Sequence, residues 1–267
     1  MEQYRGNLRK MAVILDENKA KYTLKLEDHT IDMNSLIGQT LSITFQNKIN
    51  CIKCNRETKK SFGQGYCYPC FISVPETEAC VLRPELCQAH EGIARDMDFA
   101  KNSCLTDHYV YLAISSCLKV GVTRHTQVPV RWLDQGASHA LILAKTPNRF
   151  LAGQIEVALK NMYADRSNWR KLLTSDGLVM DLNLEKGKIE ELLPFDLRQY
   201  ITDDDYIYRI NYPLSEYPLK VSPVNLDKGQ SVQDELTGIK GQYLLFRNGT
   251  VMNVRKYNGY LVDIRVG

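Results

Sequence analysis

Residues 51–70 read CIKCNRETKKSFGQGYCYPC, and two Cys-x2-Cys pairs, Cys51/Cys54 and Cys67/Cys70, lie in this stretch with twelve residues between them. A Cys-x2-Cys turn places two thiolates on one ion without strain, and two such turns complete the tetrahedron of soft ligands that zinc prefers. Four protein ligands leave no position for water, so the spacing predicts a closed, structural zinc site. The alternative is four unrelated buried cysteines.

A second group of ligand-type residues follows the first. Its members can supply three sulfurs and one nitrogen to a further zinc: Cys80, Cys87, His90 and Cys104. Short polar stretches separate them, which is typical of a chain held by a metal rather than by a large core. The alternative is buried free thiols, a frequent fate of cysteine.

Basic residues are concentrated in parts of the chain, although the net charge is only +3. From residue 119 to residue 171 there are nine basic and three acidic side chains, and from 172 to 205 the numbers reverse. This alternation predicts one basic surface that can meet phosphates, or else a set of solvated helix faces. The segment with the paired cysteines adds four basic residues that can face phosphates: Lys53, Arg56, Lys59 and Lys60.

The composition is that of a globular protein. With 267 residues, 44% apolar and 24% charged, the chain can bury a sizeable core, which excludes a disordered chain, a collagen-like repeat and a disulfide-stapled miniprotein. The longest apolar run, residues 140–144, is far short of the roughly 20 residues of a spanning helix. The N-terminus lacks the layout of a secretory signal. We therefore expect no membrane partner and a cytoplasmic location, where cysteines stay reduced.

The pattern predicts an α+β fold in five regions. They are a β-rich N-terminal segment (1–50), a zinc-binding region (51–107), a domain that mixes strands and helices (108–175), a helical acidic linker (176–205) and a β-rich C-terminal segment (206–267).

The two β-rich ends share a weak likeness. Residues 37–41 read IGQTL and residues 240–244 read KGQYL. This predicts that the two ends pack together as one small barrel around the middle of the chain. A chance match of common strand residues is the alternative.

The middle region alternates between strand and helix patterns. Buried strands are expected over residues 109–114, 118–122 and 140–144, and a helix with an apolar stripe is expected from Asn148 to Ala164. On that helix, Glu156 is either a surface partner of a lysine one turn on or a functional carboxylate.

This strand–strand–helix–strand–helix order resembles the GIY-YIG nuclease superfamily over about residues 108–173. Tyr109-Val110-Tyr111 stands at the first motif and Lys119-Val120-Gly121 at the second. Arg131 follows ten residues later, at the spacing of the family arginine, and Glu156 is in the place of the metal carboxylate.

The resemblance implies a metal-dependent phosphodiesterase. Glu156 would bind Mg2+ or Mn2+, Arg131 would stabilise charge on the phosphate, and Tyr111 would position or deprotonate the attacking water. Lys119 stands where the second motif has a tyrosine, as in a Lys-Ile-Gly variant of phage-type DNA-binding relatives. A lysine acts as a base only where burial lowers its pKa by several units.

Nearly the whole chain also resembles an uncharacterised prokaryotic family, number 2797 among domains of unknown function. The resemblance rests on four stretches: 51–54 (CIKC), 64–70 (QGYCYPC), 131–137 (RWLDQGA) and 153–156 (GQIE). It implies the layout and no activity.

Together these features predict a zinc-containing protein that binds DNA or RNA and has a GIY-YIG-like domain with endonuclease chemistry. The alternatives are a DNA- or RNA-binding module without catalysis and a protein-interaction module. Four basic residues are the expected contacts to the nucleic acid: Lys119, Arg124, Arg131 and Arg149.

Overall fold

The computed structural model describes residues 2–160, 162–163, 168–175 and 177–267, and within them the chain is a mixed α+β protein. Its strands are β1 (Glu2–Asn7), β2 (Ala12–Asp16), β3 (Lys19–Leu26), β4 (His29–Asp32), β5 (Thr40–Ile49), β6 (His108–Ile114), β7 (Leu118–Arg124), β8 (His139–Thr146), β9 (Tyr208–Arg209), β10 (Ser222–Pro223), β11 (Val232–Lys240), β12 (Tyr243–Phe246), β13 (Thr250–Asn253) and β14 (Tyr260–Val266).

The helices are short. They are α1 (Tyr68–Ser73), α2 (Met97–Ser103), α3 (Val130–Asp134), α4 (Arg149–Leu159), α5 (Trp169–Thr174), α6 (Leu182–Leu192) and α7 (Phe195–Arg198). Single 3-10 turns connect several of them, and four such turns fill the stretch from Pro75 to Glu91. Within the described residues, no helix is both long enough and apolar enough to cross a membrane.

The chain folds into two compact units. The first consists of Met1–Ile72, Leu133–Gly136 and Asn211–Gly267, and the second of Ser73–Trp132 and Ala137–Ile210. Each group of clustered cysteines lies within a single unit.

The first unit contains a seven-stranded sheet in the order β1-β14-β5-β11-β12-β13-β10 and a three-stranded sheet in the order β2-β3-β4. Strand β14 pairs with both β1 and β5, so the two β-rich ends of the chain share one sheet, as the sequence predicts. The predicted barrel is wrong, because β1 and β10 are opposite edges of an open sheet within the described residues. At one edge, Pro223 in β10 has no N–H to donate, which suits the edge of a sheet.

The second unit is built on a four-stranded sheet in the order β7-β6-β8-β9. One face carries Val110, Leu112 and Leu141, and it packs against Ile155 and Leu159 of α4. Helix α6 contributes Leu182 and Ile189 to the same core, so the acidic stretch after residue 176 is partly packed rather than a free linker.

Helix α4 follows β8 directly. The side-chain oxygen of Asn148 accepts a hydrogen bond from the Leu151 N–H at 3.0 Å, which caps the first turn. The helix ends at Leu159, and Ala164, the predicted end, lies outside the described residues.

Candidate metal centres

The first centre consists of four cysteine sulfurs in the first unit: Cys51, Cys54, Cys67 and Cys70. All four lie within 4.8 Å of one another, and the sulfurs of Cys54 and Cys67 are 3.7 Å apart. Such a separation suits four ligands of one ion at about 2.3 Å each.

Two tight turns bring the cysteine pairs together. Cys51 follows β5 after one residue, and the Asn55 N–H donates to the Cys51 carbonyl at 2.9 Å. Cys67 follows a turn that the bridge between Phe62 and Tyr66 closes, and α1 begins at the next residue. The pairs therefore face each other because each is fixed at the end of a regular element.

Gly65 locks the second turn against the first. Its φ of +136° is a conformation that other residues rarely adopt, and a Cβ there would lie 2.7 Å from Ile52 Cγ2. The Ile52 N–H donates to the Gly65 carbonyl at 2.8 Å, and the Asn258 amide donates to the Gln64 carbonyl at 3.0 Å. The two cysteine turns are thus held together by contacts of the chain itself.

The thiols of the first centre differ in acidity. Burial raises the pKa of Cys51, but backbone N–H groups of Cys54, Cys67 and Lys53 donate to its sulfur and lower the pKa to about 6. Burial and contacts with the other sulfurs raise the pKa of Cys70 to about 12. A zinc ion would remove the remaining protons, because zinc binds the thiolate. The donor set and the amide groups around it fit a zinc ion.

The second centre consists of Cys80, Cys87 and Cys104, which are all buried in the second unit with their sulfurs within 4.8 Å of one another. Two of them lie in or just after 3-10 turns, and Cys104 follows α2. A cavity of about 180 Å³ adjoins the cluster and has all three cysteines in its wall. Three sulfurs and an adjacent cavity fit a metal with one further ligand.

A buried arginine lies against the backbone of the second centre. Arg149 is 8% exposed, and its guanidinium donates to the Cys80 carbonyl at 3.2 Å and the Ser103 carbonyl at 2.9 Å. Contacts with the other two sulfurs raise the pKa of the Cys80 thiol and lower that of Cys87, and the positive charge of Arg149 favours the thiolate at all three cysteines. No carboxylate of the described residues forms a salt bridge with it. Three thiolates on Zn2+ carry one net negative charge, which the guanidinium offsets.

His90, the predicted nitrogen ligand, is not among the clustered atoms. Its ring stacks on Phe150 with centroids 4.4 Å apart, and its Nε2 lies 3.8 Å from a carboxylate oxygen of Glu91. Phe150 in turn packs against the cysteine cluster. The structure therefore brings together three of the four residues predicted for this site.

Arg149→Met is expected to weaken zinc binding at the second centre by about 10- to 100-fold, the range seen when partners of metal ligands are removed. The apolar replacement keeps the length of the side chain and leaves the three thiolates without a counter-charge. Competition with a chelator, followed by elemental analysis, measures the loss. Arg149→Lys keeps the charge and should retain the metal; equal affinity of wild type and the methionine variant would contradict the charge role.

The predicted catalytic residues lie on two sides of the sheet of the second unit. Tyr111 is buried on the face away from α4, where its ring meets Trp132 at 6.0 Å. Lys119 shares that face by strand alternation, since it pairs with Ala113, two residues from Tyr111. Glu156 is on α4, which covers the opposite face. The structure does not bring Glu156 together with Tyr111.

Each motif residue has a definite local surrounding. Gly121 makes room for Tyr111, because a Cβ there would lie 2.6 Å from the tyrosine hydroxyl oxygen. Arg131 is half-buried on α3, and its Nε has no hydrogen-bond partner among the described residues. Glu156 lines a cavity of about 170 Å³ together with Glu85, Tyr163 and two basic residues, Arg83 and Lys160.

Two of the four predicted phosphate contacts are used inside the fold. Arg149 is buried as described, and half-buried Arg124 donates to the Ser103 hydroxyl at 3.2 Å. Burial and the charge of Arg149 lower the pKa of Arg124. Lys119 and Arg131 are half-buried.

Comparison with known proteins gives one match. A family described as "Protein of unknown function (DUF2797)" matches residues 38–262. No curated protein and no solved structure matches the chain.

Proposed function

The chain belongs to the DUF2797 family of proteins of unknown function, and we propose that it is a zinc-binding protein that holds nucleic acid on the basic surface of its first centre. The single observation behind the zinc is the convergence of four sulfurs within 4.8 Å in a cage of backbone turns. Elemental analysis of protein never exposed to chelator should give two zinc ions per chain, one at the four-cysteine centre and one at the cluster of Cys80, Cys87 and Cys104. A zinc content well under one ion per chain would count against the proposal that the protein binds zinc.

The surface of the first centre combines basic and aromatic side chains. The Lys60 ammonium lies 5.3 Å from the ring centroid of Phe62, and that ring contacts those of Tyr68 at 5.3 Å and Phe71 at 6.0 Å. Lys59 is exposed, and Tyr68 is 54% exposed. Aromatic rings beside basic groups are what proteins use to stack bases and hold the phosphate backbone of single strands.

The net positive charge of residues 48–60 is larger than the negative charge of a zinc ion bound by four thiolates. Residues 48–60 contain five basic side chains and one acidic side chain, Glu57. Zinc with four thiolates carries two negative charges, so the segment stays positive after the metal is counted. The surplus supports attraction to phosphates rather than mere balance of the zinc site.

A double substitution, Lys59→Gln with Lys60→Gln, is expected to weaken binding of DNA or RNA and to flatten its salt dependence. Removing one lysine from a phosphate lowers the slope of log affinity against log salt by about 0.9 on duplex DNA and about 0.7 on single strands. Fluorescence anisotropy with labelled oligonucleotides over a range of salt concentrations measures the affinity and its salt dependence. Neither lysine is a predicted zinc ligand, so zinc content should not change.

Lys25→Gln is the matched control, because Lys25 is exposed on β3 of the same unit and forms no salt bridge within the described residues. Its binding should equal that of wild type. Absence of binding at low salt for every nucleic acid tried, or equal weakening in both variants, would refute the proposal. A protein-interaction role would then take its place.

Nuclease activity stays a prediction. Tyr111 and Glu156 lie on opposite sides of one sheet, and the cavity beside Glu156 is also lined by two basic residues, Arg83 and Lys160. The same oligonucleotides with Mg2+ or Mn2+ test it: cleavage by wild type that Glu156→Gln abolishes would support a catalytic role for Glu156.

A further inference from the structure

The second centre differs from the first in the number of sulfurs. Cys80, Cys87 and Cys104 converge, and within the part of the chain that the structure describes no other histidine, cysteine or carboxylate joins the group. Tetrahedral zinc needs a fourth ligand. Whatever fills that position decides whether the site is closed, as structural sites are, or open, as catalytic sites are.

The cavity beside the cluster offers the fourth position. Its volume of about 180 Å³ has room for several water molecules, each of which takes about 30 Å³ in the liquid. The wall consists of the three cysteines, apolar side chains such as Leu86 and Ile93, and the polar Glu78 and Gln88. A small ligand can therefore reach the metal.

Charge selects the kind of ligand. Zinc, three thiolates and the Arg149 guanidinium together carry no net charge, so a neutral fourth donor keeps the buried group balanced. An anion would add an uncompensated charge next to Glu78, which lines the same cavity. Water or a neutral nitrogen base satisfies both conditions.

We propose that the second centre is an open metal site in which Cys80, Cys87 and Cys104 hold zinc and a small neutral donor occupies an exchangeable fourth position in the cavity. This rests on the second zinc ion proposed above. His90 does not close the site, since its ring is stacked on Phe150. A zinc ion with an open position can bind and exchange a small ligand. A zinc ion held by four cysteines has no position for one.

Cobalt tests the proposal, because the visible absorption of Co2+ reports the ligands around it. The full chain is loaded with two equivalents of Co2+ and titrated with imidazole as the neutral probe. Wild type and His90→Ala should both bind two metal ions and show the same saturable spectral change. Cys104→Ser should lose that change and one metal ion, and the closed first centre should give no response.

Nuclear magnetic resonance of protein loaded with 113Cd avoids any need for variants to fold. Wild type should give one signal for each centre, and imidazole should move only one of them. If, in the cobalt titration, imidazole changes the spectrum of His90→Ala but not that of wild type, then His90 is the fourth ligand in wild type and the proposal is wrong. If two metals bind and imidazole moves neither signal, the site is closed and the zinc function stands. A metal content of one per chain removes the second zinc and this proposal together.

Discussion

Cys51→Ser is expected to remove one zinc ion per chain and to unfold the region around the first centre. Binding energy at a structural zinc site is folding energy, with apparent values of about 10–16 kcal/mol in zinc-finger peptides. Domains are stable by only about 5–15 kcal/mol, so losing even part of that binding exceeds the margin of a local region. Cys51 is the fully buried member that backbone amide groups surround, and serine cannot replace the thiolate.

Elemental analysis and hydrogen exchange measure this effect. Zinc should fall from two to one per chain, and amide protons of residues 50–71 should exchange much faster. Cys117→Ser is the matched control, since Cys117 is a half-buried cysteine in neither cluster and should leave both readouts unchanged. Retention of two zinc ions and native protection by Cys51→Ser would show that the four cysteines are not a metal site.

The first centre could be predicted because its four ligands lie within 20 consecutive residues, 51–70. Paired cysteines at short spacing point to a metal whatever the rest of the fold does, and the structure brings those sulfurs together. The second group is spread over 25 residues, Cys80 to Cys104, and its ligands lie on 3-10 turns and a helix end. Spacing does not fix side-chain direction in such turns, so it assigns His90 to a site that the histidine does not join.

Arg149 and Glu156 show what helix periodicity leaves open. Seven-residue spacing places both on one side of α4, and the periodicity correctly marks the apolar stripe of that helix. Periodicity does not predict which neighbouring segment packs against the side of α4 that carries Arg149 and Glu156. Nor does it predict which face of the sheet α4 packs on. Arg149 is buried because its guanidinium reaches the carbonyls of Cys80 and Ser103, and Glu156 is on the opposite side of the sheet from Tyr111.

The likeness between the two β-rich ends predicts their association but not its form. Strands β5 and β11 do pair with each other, in an antiparallel register from Val232 opposite Ile43 to Glu235 opposite Thr40. Closure into a barrel depends on strand number, tilt and stagger around the whole sheet. Five residues of similar pattern near each end of the chain carry no information about those quantities.

Gly153→Ala is expected to destabilise the second unit by about 1–3 kcal/mol, as overpacking of a tight contact does. A Cβ at Gly153 would lie 2.5 Å from the carbonyl carbon of Pro84 and 2.8 Å from the Cα of Glu85, and it would also strike the Glu85 nitrogen. These are backbone atoms, so no side chain can rotate away, and α4 or the turn must shift. That turn ends at Cys87, so the second centre should lose metal affinity as well.

Gly187→Ala separates this contact from helix propensity. Gly187 is also in a helix, α6 of the same unit, and a Cβ there would meet no atom of the described residues within 4 Å. Alanine stabilises an exposed helix interior by about 0.5–1 kcal/mol relative to glycine, so this variant should be slightly more stable than wild type. Urea unfolding measures both variants, and the denaturant midpoint should move in opposite directions while the slope stays the same. Equal midpoints in the two variants, with two zinc ions bound to each, would show that α4 does not pack against the turn through Gly153.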